Sequence, residues 1–147
     1  MIESVSENNI EEVLPLIRLY QEFYETPDIN DAKNRDFFSQ FNEKNEDGCL
    51  FLYRNRDGEA VAFATVYFTY SSTIAQRIGV MNDLYTIPSH RGKGIGRELV
   101  VHCHSFAETK GAARLQWLTA EENEPAQKFY ASLNAKKSSW KLYTYCT

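Results

Sequence analysis

Residues 88–100 read Pro-Ser-His-Arg-Gly-Lys-Gly-Ile-Gly-Arg-Glu-Leu-Val, and no other run constrains the fold as much. Gly92, Gly94 and Gly96 stand at alternate positions among Arg91, Lys93 and Arg97. An apolar segment, Val80 to Ile87, leads in; an apolar helical pattern, Ile95, Leu99, Cys103 and Phe106, leads out. A strand must therefore turn into a helix within a few residues. Glycine permits that turn and leaves no Cβ over its N–H groups. The first N–H groups of the helix lack partners inside it, and its dipole favours negative charge there. The combination is an anion cradle suited to a diphosphate.

Two common diphosphate loops fit poorly. A nucleoside-triphosphate loop needs G-x-x-x-x-G-K-[ST], and no Ser or Thr follows a Gly-Lys pair here. A dinucleotide fingerprint needs G-x-G-x-x-G in the first strand–helix unit, whereas G-x-G-x-G stands here past the middle of the chain. A second segment, residues 119–133, reads Thr-Ala-Glu-Glu-Asn-Glu-Pro-Ala-Gln-Lys-Phe-Tyr-Ala-Ser-Leu. Asn123 suits a helix N-cap, Glu124 the positive dipole end and Pro125 the first turn. Asn134 suits the left-handed residue that closes such a helix.

Arg91-Gly92-Lys93-Gly94-Ile95-Gly96 resembles the acetyl-CoA loop, R/Q-x-x-G-x-G/A, of the GNAT superfamily of N-acetyltransferases. Residues 119–133 resemble the same superfamily's later motif, in which Asn opens a helix, a small residue follows and Phe-Tyr ends its second turn. The resemblance covers about residues 60–146 well. The wording of residues 82–86, 91–96 and 120–130 looks most like the diamine (spermidine/spermine-type) acetyltransferase branch. It implies one N-acetyltransferase domain over 1–147 with an α/β (α+β) fold. A mixed central sheet with splayed central strands, flanked by about four helices, would hold acetyl-CoA. In that family the cofactor lies between the central strand and the next.

Periodicity gives the same outline. Residues 2–6, Cys49 to Arg54, Glu59 to Tyr70, Arg77 to Ile87, Ala113 to Thr119 and Ser139 to Cys146 read as strands. Residues 9–25, 31–45, Gly96 to Lys110 and Asn123 to Leu133 read as helices, with Pro15 kinking the first or ending its first turn and Gly111 stopping the third. The net charge of −4 argues against a nucleic-acid binder and is compatible with a cationic small substrate. No apolar run reaches the ~18 residues of a membrane span, and no signal-peptide pattern opens the chain. Three scattered cysteines, Cys49, Cys103 and Cys146, suit a reducing cytoplasm.

Acetyl transfer to an amine needs a base, because a lysine-like ammonium has a pKa of about 10.4, and an acid for the departing sulfur. Tyr130 matches the family's acid; the bland alternative is a core aromatic beside Phe129. The diamine branch commonly carries a Glu where Asn82 stands, and Asn82 cannot act as a base. Asp83 is adjacent, but alternation turns it to the other face unless a bulge re-aims it. The resemblance further implies that the backbone of Leu84, Tyr85 and Thr86 pairs with pantetheine amides. It places the pyrophosphate on Arg91, Gly92, Lys93, Gly94, Ile95, Gly96 and Arg97, and the sulfur end beside Asn123, Ala126 and Tyr130.

Other features constrain less. His102 and His104 lie two apart, without the i, i+4 geometry of a metal pair, so no metal is expected. Tyr20, Phe23, Tyr24, Asp28 and Asp31 could form an acceptor pocket, since carboxylates and aromatic faces suit an ammonium. The aromatic-rich last strand, Trp140, Leu142, Tyr143 and Tyr145, would suit a homodimer, by analogy with dimeric relatives. The chain is thus expected to acetylate a primary amine, a small cationic molecule, with no membrane partner. Acetylation of a protein or peptide amine is one alternative, and a non-catalytic acyl-CoA sensor or interaction module is another.

Overall fold

A computed structural model describes residues 1–147. They form two compact units, Met1–Trp117 and Leu118–Thr147. The first contains β1 (Ile2–Ser4), α1 (Ile10–Phe23), α2 (Asp31–Phe38), β2 (Gly48–Arg54), β3 (Ala60–Ser71), β4 (Gln76–Thr86), α3 (Ile95–Thr109) and β5 (Leu115–Gln116). The sheet order is β1-β2-β3-β4-β5. Neighbours are antiparallel except β4 and β5, which are parallel.

Period-two alternation assigns the two faces. Leu50, Leu52, Phe63 and Tyr85 form one cluster with Val13, Leu14 and Ile17 of α1. The opposite face carries Phe51, whose ring lies 5.0 Å from that of Phe106 on α3. On that face a Cβ added to Gly79 would stand 3.1 Å from the Ala107 Cβ, so glycine there lets α3 lie close on β4.

Helix boundaries follow local chemistry. Asn30 caps α2, its Oδ1 accepting the Lys33 N–H. That helix ends at Phe38, short of the expected residue 45. Asn42 and Asn45 turn the chain through side-chain bonds to Lys44 N–H and Asp47 N–H, in competition with helix continuation. α1 runs unbroken through Pro15. Pro15 and Glu11 are both exposed, so the carbonyl deprived of its donor can be hydrated. α3 closes at Gly111 (φ +81°), where Gly111 N–H meets Glu108 O and Ala112 N–H meets Ala107 O, a Schellman pair. β5 is two residues long, against the seven-residue strand expected at 113–119. No helix is long and apolar enough to cross a membrane.

The second unit contains α4 (Glu124–Ser132). Asn123 Oδ1 accepts the Ala126 N–H at 3.2 Å, and Asn134 has φ +60°. Gln127 Nε2 donates to Ala120 O and Glu121 O, which ties the helix to the approach segment. Residues 139–146 carry no strand. Their aromatic pattern suits a pleated face but does not itself supply a neighbouring ladder.

Arg54 joins the N-terminal elements by bonding Glu3 on β1 at 2.7 Å and Glu12 on α1 at 2.7 Å. These bonds hold both carboxyls below their ordinary pKa, through the guanidinium hydrogen bond first. A depressed carboxyl adds stability that is complete above its unfolded pKa of about 4.3 and is lost as pH falls through the folded value. Arg54→Met should therefore lower Tm at neutral pH, and its deficit against wild type should shrink as pH falls below about 4. Melting curves from pH 7 to 3 check this, and a constant deficit would contradict it.

Candidate active site at the open edge of strand β4

β4 and β5 part early. Ala113 N–H donates to Arg77 O and Gly79 N–H to Arg114 O, and the last paired positions are Val80 and Gln116. From Met81 to Thr86, β4 is paired in the sheet by β3 alone. Ile87 N–H donates to Val61 O on the β3 side. By antiparallel alternation Tyr85 also turns its N–H toward β3, while Leu84 and Thr86 turn theirs to the open edge. Of the three backbone positions expected to meet pantetheine, Leu84 and Thr86 thus face the open edge. Tyr85 is committed to the ladder, and its side chain, 8% exposed, belongs to the core.

The open edge runs into the glycine loop. Gly92 and Gly94 have φ +76° and +85°, and added Cβ atoms would meet nothing within 4 Å. Gly94 is the N-cap of α3 and gives no side-chain cap. The first ladder bond is Glu98 N–H to Gly94 O, so the N–H groups of Ile95, Gly96 and Arg97 lie before the helical ladder begins. Arg91 does more than add charge: its Nε donates to Thr86 O at 2.8 Å and its guanidinium lies 5.4 Å from the Tyr85 ring centre. Lys93 is exposed on the loop. Arg97 lines a cavity of about 630 Å³ with Tyr53, Glu98 and His102, toward β1 and β2.

The bulge that could re-aim Asp83 is present. Thr65 pairs with Asp83 and Val66 with Met81, so Asn82 is the extra residue. Asn82 is exposed, and Asp83 falls on the α1 face, in line with Tyr85 and 8% exposed. Asp83 Oδ2 accepts the Thr65 hydroxyl and Oδ1 accepts Asn82 Nδ2 at 3.2 Å. Tyr67 lies two residues along β3 on the same face; burial first, and the Asp83 charge second, push its phenol up to about 12.

The expected acceptor cluster divides. Tyr20 packs edge-on against Tyr24, Phe63 and Tyr85 at centroid distances of 5.0, 5.5 and 5.9 Å. Phe23 and Tyr24 are half exposed. Asp31 is paired with Arg18 at 2.8 Å, which spends its charge locally. Asp28 stands in the loop after α1 with φ +54°.

In the second unit, Tyr130 lies on the second turn of α4 with its ring 5.3 Å from that of Phe129. The Asn123 side-chain Oδ1 accepts the Ala126 N–H at the cap, which fixes the helix start.

Sequence reasoning missed Thr65, Tyr67 and Asn55. Thr65 and Tyr67 have no local signature, because only cross-strand register joins them to Asp83. Asn55 Oδ1 accepts Asp57 N–H and Glu59 N–H in the β2–β3 turn. Its amide nitrogen therefore faces His90 Nε2, 3.3 Å away, and holds the approach to the glycine loop. His102 is a packing residue against Phe51, at 4.7 Å between ring centres, and burial pushes its pKa down.

Known proteins share the family and the fold. Residues 13–135 match the acetyltransferase (GNAT) family. The Bacillus subtilis protein named uncharacterized N-acetyltransferase YhfO is 30% identical over 118 residues, 80% of this chain and 77% of its own length. Thialysine N-epsilon-acetyltransferase of Bos taurus is 30% identical over 76 residues, 52% of this chain and 44% of its own length. A crystal structure of a probable acetyltransferase has a TM-score of 0.86 at 23% identity, covering 100% of this chain and 97% of the other, a likeness of fold. The family match runs through the glycine loop and the Asn123 helix alike, and the chain belongs to the acetyltransferase (GNAT) family of N-acetyltransferases.

Proposed function

We propose that the chain transfers an acetyl group from acetyl-CoA to the primary amine of a small cationic molecule, by direct attack of the amine. The observation that carries this is the open edge of β4 running straight into an uncapped α3 N-terminus. The residues fit acetyl-CoA. Leu84 and Thr86 would pair with the pantetheine amides. The loop from Arg91 to Gly96, with the first N–H groups of α3, would hold the pyrophosphate, where open space at Gly92 and Gly94 admits it. Asn123, Ala126 and Tyr130 would line the sulfur end. The family match at residues 13–135 crosses both units and supports one acetyltransferase domain over 1–147.

Bound acetyl-CoA supplies a thioester carbonyl for the amine nitrogen and a sulfur that leaves. Asp83 is the one carboxylate of β4 and the proposed base: it takes the proton that the acceptor ammonium must lose. Tyr130 is the proposed acid, and its hydroxyl gives a proton to the sulfur as the C–S bond breaks. A Leu84 or Thr86 N–H polarises the carbonyl.

A cationic acceptor is supported by the net charge of −4 and by the neutral character of both donors to Asp83. It is also supported by a relative named for acetylating the side-chain amine of thialysine. The diamine-like motif wording points the same way. The three cysteines are free, in keeping with a cytoplasmic setting.

CoA at a hundredfold over Kd should stabilise the fold by about 2.7 kcal/mol, read as a rise in Tm. Gly94→Asp, which puts a carboxylate at the phosphate position, should abolish the rise. A wild-type melting curve indifferent to CoA would remove the proposal. Tyr130→Phe should cut kcat about ten- to a thousandfold while acetyl-CoA affinity holds. An unchanged kcat with weaker affinity would make the hydroxyl a binding group only.

The acceptor is tested with 1,4-diaminobutane, glutamate and a peptide N-terminus. The diamine should give the highest kcat/KM, falling with salt and rising with pH toward about 10.4. Preference for glutamate or the peptide would replace the acceptor class. CoA binding without turnover of any amine would leave an acyl-CoA sensor.

A further inference from the structure

The face of the sheet under α1 is apolar apart from one buried polar line. Thr65 (0% exposed) and Asp83 (8%) face each other across β3 and β4, and Tyr67 continues the line on β3. Around them stand Leu50, Phe63 and Tyr85 from the strands, with Ile17 and Tyr20 from α1. The charged residues of α1 near this end are spent elsewhere: Arg18 pairs with Glu22 and Asp31. A carboxylate buried without a cation is costly, and hydrogen bonds to its charged form offset the cost. The Thr65 hydroxyl has one hydrogen, and it goes to Asp83. With the proton fixed there, the Thr65 oxygen keeps lone pairs for a donor on the same face, where the Tyr67 phenol stands two residues along β3.

We infer that Thr65 is a positioning residue for acetyl transfer: it holds the Asp83 carboxylate, re-aimed by the bulge at Asn82, in the orientation that meets the acceptor amine. This rests on the assignment of Asp83 as proton acceptor made above. Asp83 Oδ2 is held from β3 and Oδ1 from Asn82 on its own strand, so both oxygens are fixed while lone pairs remain for one more donor. The Thr65 hydroxyl acts through Asp83 and has no contact of its own with the reacting atoms.

Thr65→Val keeps the shape and removes the donor; Thr65→Ser keeps the donor. With acetyl-CoA and 1,4-diaminobutane, Thr65→Val should lower kcat about tenfold or more, with KM for acetyl-CoA and the CoA-induced rise in Tm unchanged. Thr65→Ser should restore most of the rate. In an Asp83→Asn background Thr65→Val should add nothing further. Tyr67→Phe should give a smaller loss in the same direction, and it carries the test if Thr65→Val does not fold. A full rate for a folded Thr65→Val, or equal losses for Val and Ser, would overturn the positioning role. So would a Thr65→Val loss that persists in Asp83→Asn, or, where Tyr67→Phe carries the test, a full rate for that variant. A full rate for Asp83→Asn would instead overturn the assignment of Asp83 as base.

Discussion

The parting of β4 from β5 is the constraint on which the site depends. Backbone N–H and C=O groups are obligatory hydrogen-bonding groups, and a sheet normally pairs them on both sides. Here the pairing stops at Val80 and Gln116, six residues before β4 ends. The peptide groups of Leu84 and Thr86 are left facing outward in the middle of a sheet, where an extended ligand with amides can complete the ladder. A strand edge of this kind is otherwise a liability, open to pairing with any other chain. The chain limits it to a few residues and bends away at Pro88 into the glycine loop. Arg91 then spends one donor on Thr86 O, which fixes the loop to the strand it follows.

Everything that holds this edge in place is packed on the two faces of the sheet. α1 closes one face through Val13, Leu14 and Ile17, and α3 closes the other through contacts at Phe51 and Gly79. α3 lies close on β4 at Gly79 through its last turn, and the Arg91 bond to Thr86 O ties the loop before its N-terminus to the strand end that feeds it. The glycine loop and the open edge are therefore held together in one piece, as preorganised binding requires. The same sheet carries Asp83, so the group proposed to accept the proton is built on the strand that carries the open-edge groups.

Much of this was legible in sequence where the signal is local. The glycine loop, the Asn123 cap, the stop at Gly111 and the left-handed Asn134 each depend on a few neighbouring residues, and each appears where expected. What was not legible depends on pairing. The bulge at Asn82 arises from register between β3 and β4, and nothing within residues 80–86 announces it. Asp83 therefore could not be placed on a face, nor could Thr65 and Tyr67 be joined to it. The alternation that turns Tyr85 inward and Leu84 outward is likewise set by the partner strand. α2 ends short of residue 45 because Asn42 and Asn45, beyond Phe38, bond the chain into turns.

Amide hydrogen exchange resolved by residue, with and without CoA, tests the central claim most directly. If the open edge and the α3 N-terminus together hold the cofactor, CoA should slow exchange at Leu84 and Thr86 and at Ile95, Gly96 and Arg97. Tyr85, already bonded to β3, should change little. Protection spread evenly over the chain, or confined to residues away from β4 and the glycine loop, would contradict the account.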